Sequence, residues 1–382
     1  MTWIKKSLFV FGVFLCSALY VLAWTVRSYP PDSILTKPFA IFLLAVALSL
    51  FLLAVKFVAL RTVFTPIIAI LLSLSIAEEI SARYLGTGQT YFEATEEINQ
   101  NYRKRVEGFG YHPHPGSYNI KKLTSDGEII YDVVYSIADD GYRQELISEP
   151  FDAYIFGGSF VFGEGLNNDE TVSAFLSSEH GIKTKNVGMH GYGLHQALYN
   201  IQNGITSVNG INILLTAPWH ASRSACTPSW ARGTFRYQIS DGLAILNGVC
   251  PGGYFLHRIL GKSFFYQLFV EARQDFTIKL SDSEIELYLA IINTIYQESL
   301  KNNSSLVIAY IDDTEEALSN TNWTNKSLIK QMEKLSDSVI DVTLVDKVEQ
   351  LAPKFYLHNL DRHPSALANQ LRAALISDHL KK

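Results

Sequence analysis

The chain is 382 residues long, carries a formal net charge of −5 and is 48% hydrophobic, with a mean hydropathy of +0.09. So mild an acidic balance offers nothing to a phosphate backbone and gives no reason to expect a nucleic-acid partner. The apolar share instead fits a globular protein that carries a membrane anchor.

Three apolar runs open the chain: Ile4–Trp24, Phe39–Val55 and Val63–Ala77. Each is near the length of about 20 residues that crosses a bilayer, the latter two being short. The first is a poor signal peptide, because Trp24-Thr-Val-Arg27-Ser-Tyr-Pro offers no small-residue cleavage site. Nor does Leu15-Cys16-Ser17 suit lipid attachment, since no small residue precedes the cysteine. The pattern predicts a transmembrane region of about three helices over residues 1–80. Lys5 and Lys6 precede the first run, and Lys56 and Arg61 separate the second from the third. Both regions are therefore expected on the cytoplasmic side, against a small counterweight from Arg27 and Lys37. After three crossings the remainder lies outside the cytosol, in the periplasm if the source is bacterial. Asn302, Asn303, Asn322 and Asn325 each begin an Asn-x-Ser/Thr triplet, a pattern too common to settle the source.

Residues 81–150 form a connecting segment too hydrophobic for a mere tether. Ile129–Ile137 reads as a strand and Asp139-Asp-Gly-Tyr-Arg143 as a turn, and the segment is expected to pack on the domain that follows. His112-Pro-His114 invites a metal reading. The flanking Pro113 and Pro115 point instead to an extended loop, and no nearby cysteine or acidic pair completes a ligand set, so no metal is expected.

From residue 151 onward, strands and helices alternate. Asp152–Phe156, Thr184–Met189, Ile211–Thr216, Ser305–Ile311 and Val339–Val345 are short runs rich in apolar or β-branched residues, and helical stretches cover Asp282–Leu300 and Asn325–Leu335. Such alternation predicts an α/β sandwich with a mainly parallel sheet and helices on both faces. Between the third and fourth of these strands, Thr234–Ile239, Ser240-Asp-Gly242 and Leu243–Leu246 read as a β-hairpin with an Asp-Gly turn. Cys226 and Cys250 flank it, while Cys16 lies in a membrane run. Outside the cytosol the pair forms a disulfide bracing the hairpin; otherwise both remain half-buried thiols.

Two short segments carry chemistry. The first strand runs straight into Gly157-Gly158-Ser159, which puts a serine at the carboxyl end of a sheet strand, where open α/β sheets hold their ligands. Asn167–Thr171 supplies cap residues for a helix through Phe175 and Leu176, so the serine also lies near a helix start. The second segment is Asp361-Arg-His363-Pro-Ser365, read as a loop, with Ser365 capping a terminal helix over Ala366–Ile376. A serine hydroxyl needs a base to take its proton, and an imidazole serves best when a carboxylate fixes its tautomer. Ser159, His363 and Asp361 fit those three roles.

On these segments residues 151–382 resemble the SGNH, or GDSL-like, hydrolase family, whose fold is a three-layer α/β sandwich. The segment around Ser159 is similar to the family's nucleophile block, with Gly158 in place of the usual acidic residue. Asn186–Gln196 resembles the second block, which implies that Gly191 presents its backbone N–H to an oxyanion. The third block normally offers an asparagine, and this chain reads Thr216-Ala-Pro-Trp219-His220-Ala-Ser-Arg223 there. The last block matches at Asp361, His363 and Pro364, with one residue fewer than usual between acid and histidine. The resemblance implies oxyanion donors at Ser159 and Gly191. His220 is either a third donor, with Arg223 reaching substrate, or it only covers the end of the sheet with Trp219. His190 and His195, close to the second block, are candidates to line the cleft, and His257 is assigned no role.

The function expected is that of a membrane-anchored serine esterase, or acyl hydrolase, that needs no cofactor. An O-acylated envelope glycan or a lipid is the substrate the anchor suggests. An acyltransferase working with a membrane acyl-donor partner, and a non-catalytic binding or assembly protein of the same fold, are the alternatives.

Overall fold

The computed structural model describes residues 94–98, 102–124, 127–228, 231, 233–251, 279–312, 315–344 and 354–381, with isolated positions between 46 and 77. The chain divides into two compact units, residues 1–93 with 253–276 and residues 94–252 with 277–382. The first unit, with its three apolar runs and His257, lies almost wholly outside the described residues. Among the described residues no helix is long and apolar enough to cross a membrane.

In the second unit the chain begins with strands β1 (Ala94–Ile98), β2 (Arg103–Val106), β3 (Gly110–Pro113), β4 (Gly116–Thr124) and β5 (Ile129–Ile137). Five further strands form the central sheet: β6 (Ala153–Gly157), β7 (Thr184–Gly188), β8 (Ile211–Thr216), β11 (Ser305–Tyr310) and β12 (Ser338–Asp341). Between β8 and β11 lies the hairpin β9 (Phe235–Ser240) and β10 (Leu243–Val249), and the pair β13 (Tyr356–His358) and β14 (Asp361–Pro364) follows β12. The helices are α1 (Ser159–Phe162), α2 (Val172–Ser178), α3 (Leu194–Gln202), α4 (Trp219–Ser224), α5 (Asp282–Lys301), α6 (Asn325–Met332) and α7 (Ala366–Leu380).

The central sheet has the order β12-β11-β8-β6-β7, with every pairing parallel. Its strands are apolar on both faces because both are covered. Ile155, Ile213, Leu215, Val307 and Ala309 pack on one side with Val172 and Leu176 of α2 and Ala373 and Ile376 of α7. Their strand neighbours Phe156, Leu214, Leu306, Ile308 and Tyr310 pack on the other with Leu198 and Ile201 of α3 and Ile291 and Ile295 of α5. Alternate residues of one strand thus feed two separate cores, as the period of two requires. Each Val, Leu, Ile or Phe among them contributes about 1.5–3 kcal/mol by leaving water. The strand order reverses at β6, with β7 on one side and β8 on the other. The carboxyl ends of β6 and β8 therefore flank a crevice, the switch point where doubly wound sheets hold ligands.

The strands before residue 138 form a second, antiparallel sheet in the order β1-β4-β5, with β2 and β3 as a separate hairpin. This sheet docks on the turn after Ser159. The Gly165 N–H donates to the Tyr135 hydroxyl at 2.7 Å, and the Val134 N–H donates to Asn167 Oδ1 at 3.0 Å. Buried Arg143 donates to the Leu166 carbonyl at 2.7 Å, with its guanidinium over the rings of Tyr135 and Phe162 at 4.5 and 4.9 Å. Burial lowers that guanidinium to about 10, still cationic at neutral pH.

Several local expectations are corrected. His112 and Pro113 belong to β3, paired with β2, rather than to an extended loop, and His112 Nδ1 lies 3.2 Å from the Gly141 carbonyl. Asp361 and His363 also sit in a strand, since β14 pairs antiparallel with β13. The last sheet strand is shorter than the apolar run suggested and stops at Asp341. The hairpin forms at its Asp-Gly turn, where Asp241 and Gly242 have φ of 51° and 76°, the left-handed pair that a two-residue turn demands. Cys226, just past α4, and Cys250, at the end of the hairpin, are joined by a disulfide with a Cα–Cα distance of 5.4 Å.

Candidate active site

Strand β6 ends in Gly157-Gly158, and Ser159 opens the short helix α1. The helix near the serine is therefore this one, starting at Ser159 itself, rather than the later α2 that the cap residues suggested. A Cβ at Gly158 would stand 2.9 Å from Arg223 Nη1 and 3.0 Å from His220 Nε2, so glycine is what lets those two polar groups reach the backbone of the turn.

The structure brings Ser159, His363 and Asp361 together across the whole domain. His363 Nε2 is 2.9 Å from Ser159 Oγ, and His363 Nδ1 is 2.5 Å from Asp361 Oδ1. The short spacing between acid and imidazole works because β14 is extended, which places residues two apart on one face. The same Oδ1 also accepts the backbone N–H of His363 at 3.0 Å, and Lys122 Nζ of β4 donates to Asp361 Oδ2 at 2.6 Å. Burial alone would raise the Asp361 carboxyl; the hydrogen bonds and charges of His363 and Lys122 outweigh it and hold the group below its usual range. The Phe160 ring packs against His363 at 5.8 Å.

His363 has a second carboxylate neighbour. Glu164 Oε2 lies 3.2 Å from His363 Nε2 and 2.7 Å from His190 Nδ1, while His190 Nε2 lies 3.2 Å from the Tyr102 hydroxyl. Burial would lower the His363 ring, but Glu164 and Asp361 together outweigh that and raise it. Burial would likewise raise Glu164, and the His363 and His190 rings overcome this and hold it far below the ordinary carboxylate range.

On the other side of Ser159, a cleft is lined by Phe160, Leu215, Thr216, Trp219, His220, Arg223 and Ile311. His220 Nδ1 is 3.0 Å from Thr216 Oγ1, which in turn is 3.0 Å from the Tyr288 hydroxyl. Burial, reinforced by Arg223 and His195, keeps the His220 ring well below the usual imidazole range, hence neutral. If Tyr288 donates to Thr216 and Thr216 to Nδ1, the proton sits on Nε2, which faces the turn at Gly158. Arg223 Nη1 donates to the Tyr192 carbonyl at 3.2 Å. Gly191 occupies the turn after β7 with φ of 69°, and neither its N–H nor that of Ser159 has a hydrogen-bond partner among the described residues.

His190 stands behind Glu164 rather than among the residues lining that cleft. His195 is buried, with Nε2 3.2 Å from Thr234 Oγ1, and burial lowers it to about 3; it does not line the cleft either. Sequence reasoning missed Glu164 and Lys122. The first carried a signal, an acid between Gly163 and Gly165 in the turn after Ser159; the second carried none, being 239 residues from its partner.

No family model matches the chain, and no curated protein matches it. Solved structures with some likeness include a G-D-S-L-family protein from Desulfitobacterium hafniense (12% identity, 59% of this chain and 98% of that one, TM-score 0.31). An acetyl xylan esterase from Butyrivibrio proteoclasticus shares 10% identity over 63% of this chain and 66% of its own, with a TM-score of 0.36. A carbohydrate esterase family 2 enzyme from Corynascus thermopiles shares 11% over 65% and 70%, with a TM-score of 0.32. These likenesses are slight, and the chemistry of the site rests on its own geometry.

Proposed function

We propose that this protein is a serine esterase of the SGNH type. One observation carries the reading: His363 bridges Ser159 Oγ at 2.9 Å and Asp361 Oδ1 at 2.5 Å, at the switch point of a parallel sheet. Neutral His363 takes the hydroxyl proton on Nε2 as Ser159 Oγ attacks an ester carbonyl, and Asp361 steadies the resulting imidazolium. The oxyanion is met by the N–H groups of Ser159 and Gly191 and by Nε2–H of His220, which takes the role of the absent third-block asparagine. Arg223 adds positive charge beside the same turn. His363 returns its proton to the leaving alcohol, and water then resolves the acyl-enzyme by the reverse sequence.

The small cleft beside Ser159, where Phe160, Leu215, Trp219 and Ile311 meet Thr216, His220 and Arg223, is the place we assign to the acyl group. The apolar runs before residue 80 support a membrane-held protein with this domain outside the cytosol, acting on an O-acylated envelope glycan or a lipid. Transfer of the acyl group to a glycan hydroxyl in place of water uses the same residues. The test is labelling by a fluorophosphonate probe: the protein is modified at Ser159, and Ser159→Ala abolishes the modification. Folded protein that several such probes leave untouched sinks the esterase reading.

A further inference from the structure

The mechanism above uses one carboxylate on His363, and the structure supplies two. Asp361 of β14 holds Nδ1, and Glu164 stands 3.2 Å from Nε2, the nitrogen that must accept the serine proton. A carboxylate oxygen and an unprotonated ring nitrogen both present lone pairs, so at this distance they repel unless a proton lies between them. Glu164 is fixed where it is. It follows the cap glycine of α1, Gly163; its backbone N–H donates to the Ser159 carbonyl at 3.1 Å, and its Oε2 is held by His190 Nδ1 at 2.7 Å. His190 Nε2 in turn lies 3.2 Å from the Tyr102 hydroxyl, so the ring is held at both nitrogens.

We infer that Glu164 belongs to the acid–base apparatus of this site: when no substrate is bound, Glu164 Oε2 and His363 Nε2 share a proton that must leave before His363 can accept the proton of Ser159. The inference rests on the reading of Ser159 as nucleophile. The proton departs to bulk water along the Glu164 side chain, which is 16% exposed, so the step needs no co-reactant. The charged and titratable groups facing the pair come from every neighbouring element. They are Asp361 on β14, Lys122 on β4 behind Asp361, His190 after β7, Arg223 on α4 toward Glu164, and Arg372 on α7 across the Phe160 ring. Among the described residues, Glu164 is the charged group that lies against Nε2. Removing it should release the base at lower pH, while removing the donor that stabilises its ionised form should hold the shared proton more tightly.

The experiment measures the rate of Ser159 modification by a fluorophosphonate probe from pH 5 to 10 on the full chain. Wild type should rise to a plateau with a midpoint above the ordinary imidazole value of about 6.5. Glu164→Gln should lower that midpoint by about one pH unit or more, one unit reflecting about 1.36 kcal/mol of differential interaction. His190→Phe should move the midpoint the other way. A midpoint that stays put or rises in Glu164→Gln, or stays put or falls in His190→Phe, overturns the inference. Folded wild type that labels at no pH instead defeats the nucleophile reading, an outcome distinguishable because it does not depend on Glu164.

Discussion

Lys122 Nζ donates to Asp361 Oδ2 at 2.6 Å, joining a strand of the amino-terminal antiparallel sheet to the acid that orients His363. Asp361 Oδ1 is already used twice by His363, through its ring and its backbone, so Lys122 occupies the other oxygen and leaves the carboxylate one orientation. The antiparallel sheet is thus a structural part of the site.

Lys122→Met should therefore slow Ser159 labelling by about ten- to a hundredfold, the scale of a small misplacement at a reacting centre. It also carries a stability signature. Asp361 lies below its ordinary value in the folded state, so the stability it contributes is present above about pH 3.9 and is lost as pH falls through the lower folded value. Without the lysine the folded value is less depressed, and the midpoint of acid unfolding, followed by circular dichroism, should move to higher pH.

Substitution of either partner of the 2.9 Å contact separates catalysis from folding. Ser159→Ala and His363→Ala should each lower kcat on a simple aryl ester by about 10⁴ or more, with thermal melting close to wild type. Retained turnover in Ser159→Ala places the chemistry elsewhere.

His220 is distinguished from a mere cover for the sheet by the split between kcat and KM. An oxyanion donor acts on the transition state, so His220→Ala should cost about 10²–10³ in kcat with little change in KM. Thr216→Val, which removes the hydroxyl that sets the His220 tautomer, should reproduce part of that loss. A cover would change KM or stability and leave kcat near wild type.

Gly158→Asp introduces the acidic residue usual in the SGNH block that this segment resembles, and it should be harmful here. Its Cβ would meet Arg223 Nη1 at 2.9 Å and His220 Nε2 at 3.0 Å, and its carboxylate would pair with the positive charge beside Ser159. Labelling should fall by about a hundredfold with the fold preserved. An unchanged rate would show that neither His220 nor Arg223 serves the oxyanion.

Breaking the Cys226–Cys250 bridge tests the brace on the hairpin. The cysteines are 24 residues apart, so chain entropy assigns the bond about 3 kcal/mol. Cys250→Ser should lower the denaturant midpoint accordingly, and reducing agent should move wild type but leave the variant unchanged.

Local pattern encodes most strands and helices of the central sheet and the chemistry at its turns, while His112–Pro113 and Asp361–Pro364, which read as loops, are strands. Alternating apolar strands and amphipathic helices dictated a parallel sheet between helical layers, glycines at 157 and 158 dictated a sharp turn before Ser159, and Asp361 and His363 announced themselves by lying two apart. Those are short-range properties, set by side-chain period and backbone freedom. Which groups meet is settled by long-range contacts instead. The strand order β12-β11-β8-β6-β7 brought His220 from the end of β8 to the turn at Gly158, and the docking of the antiparallel sheet brought Lys122 to Asp361 and Tyr102 to His190. Glu164 lies five residues from Ser159, yet its contact with His363 arises only when β14 is laid across the nucleophile turn. Such pairings depend on burial and chain crossing between segments far apart in sequence, and no local pattern records them.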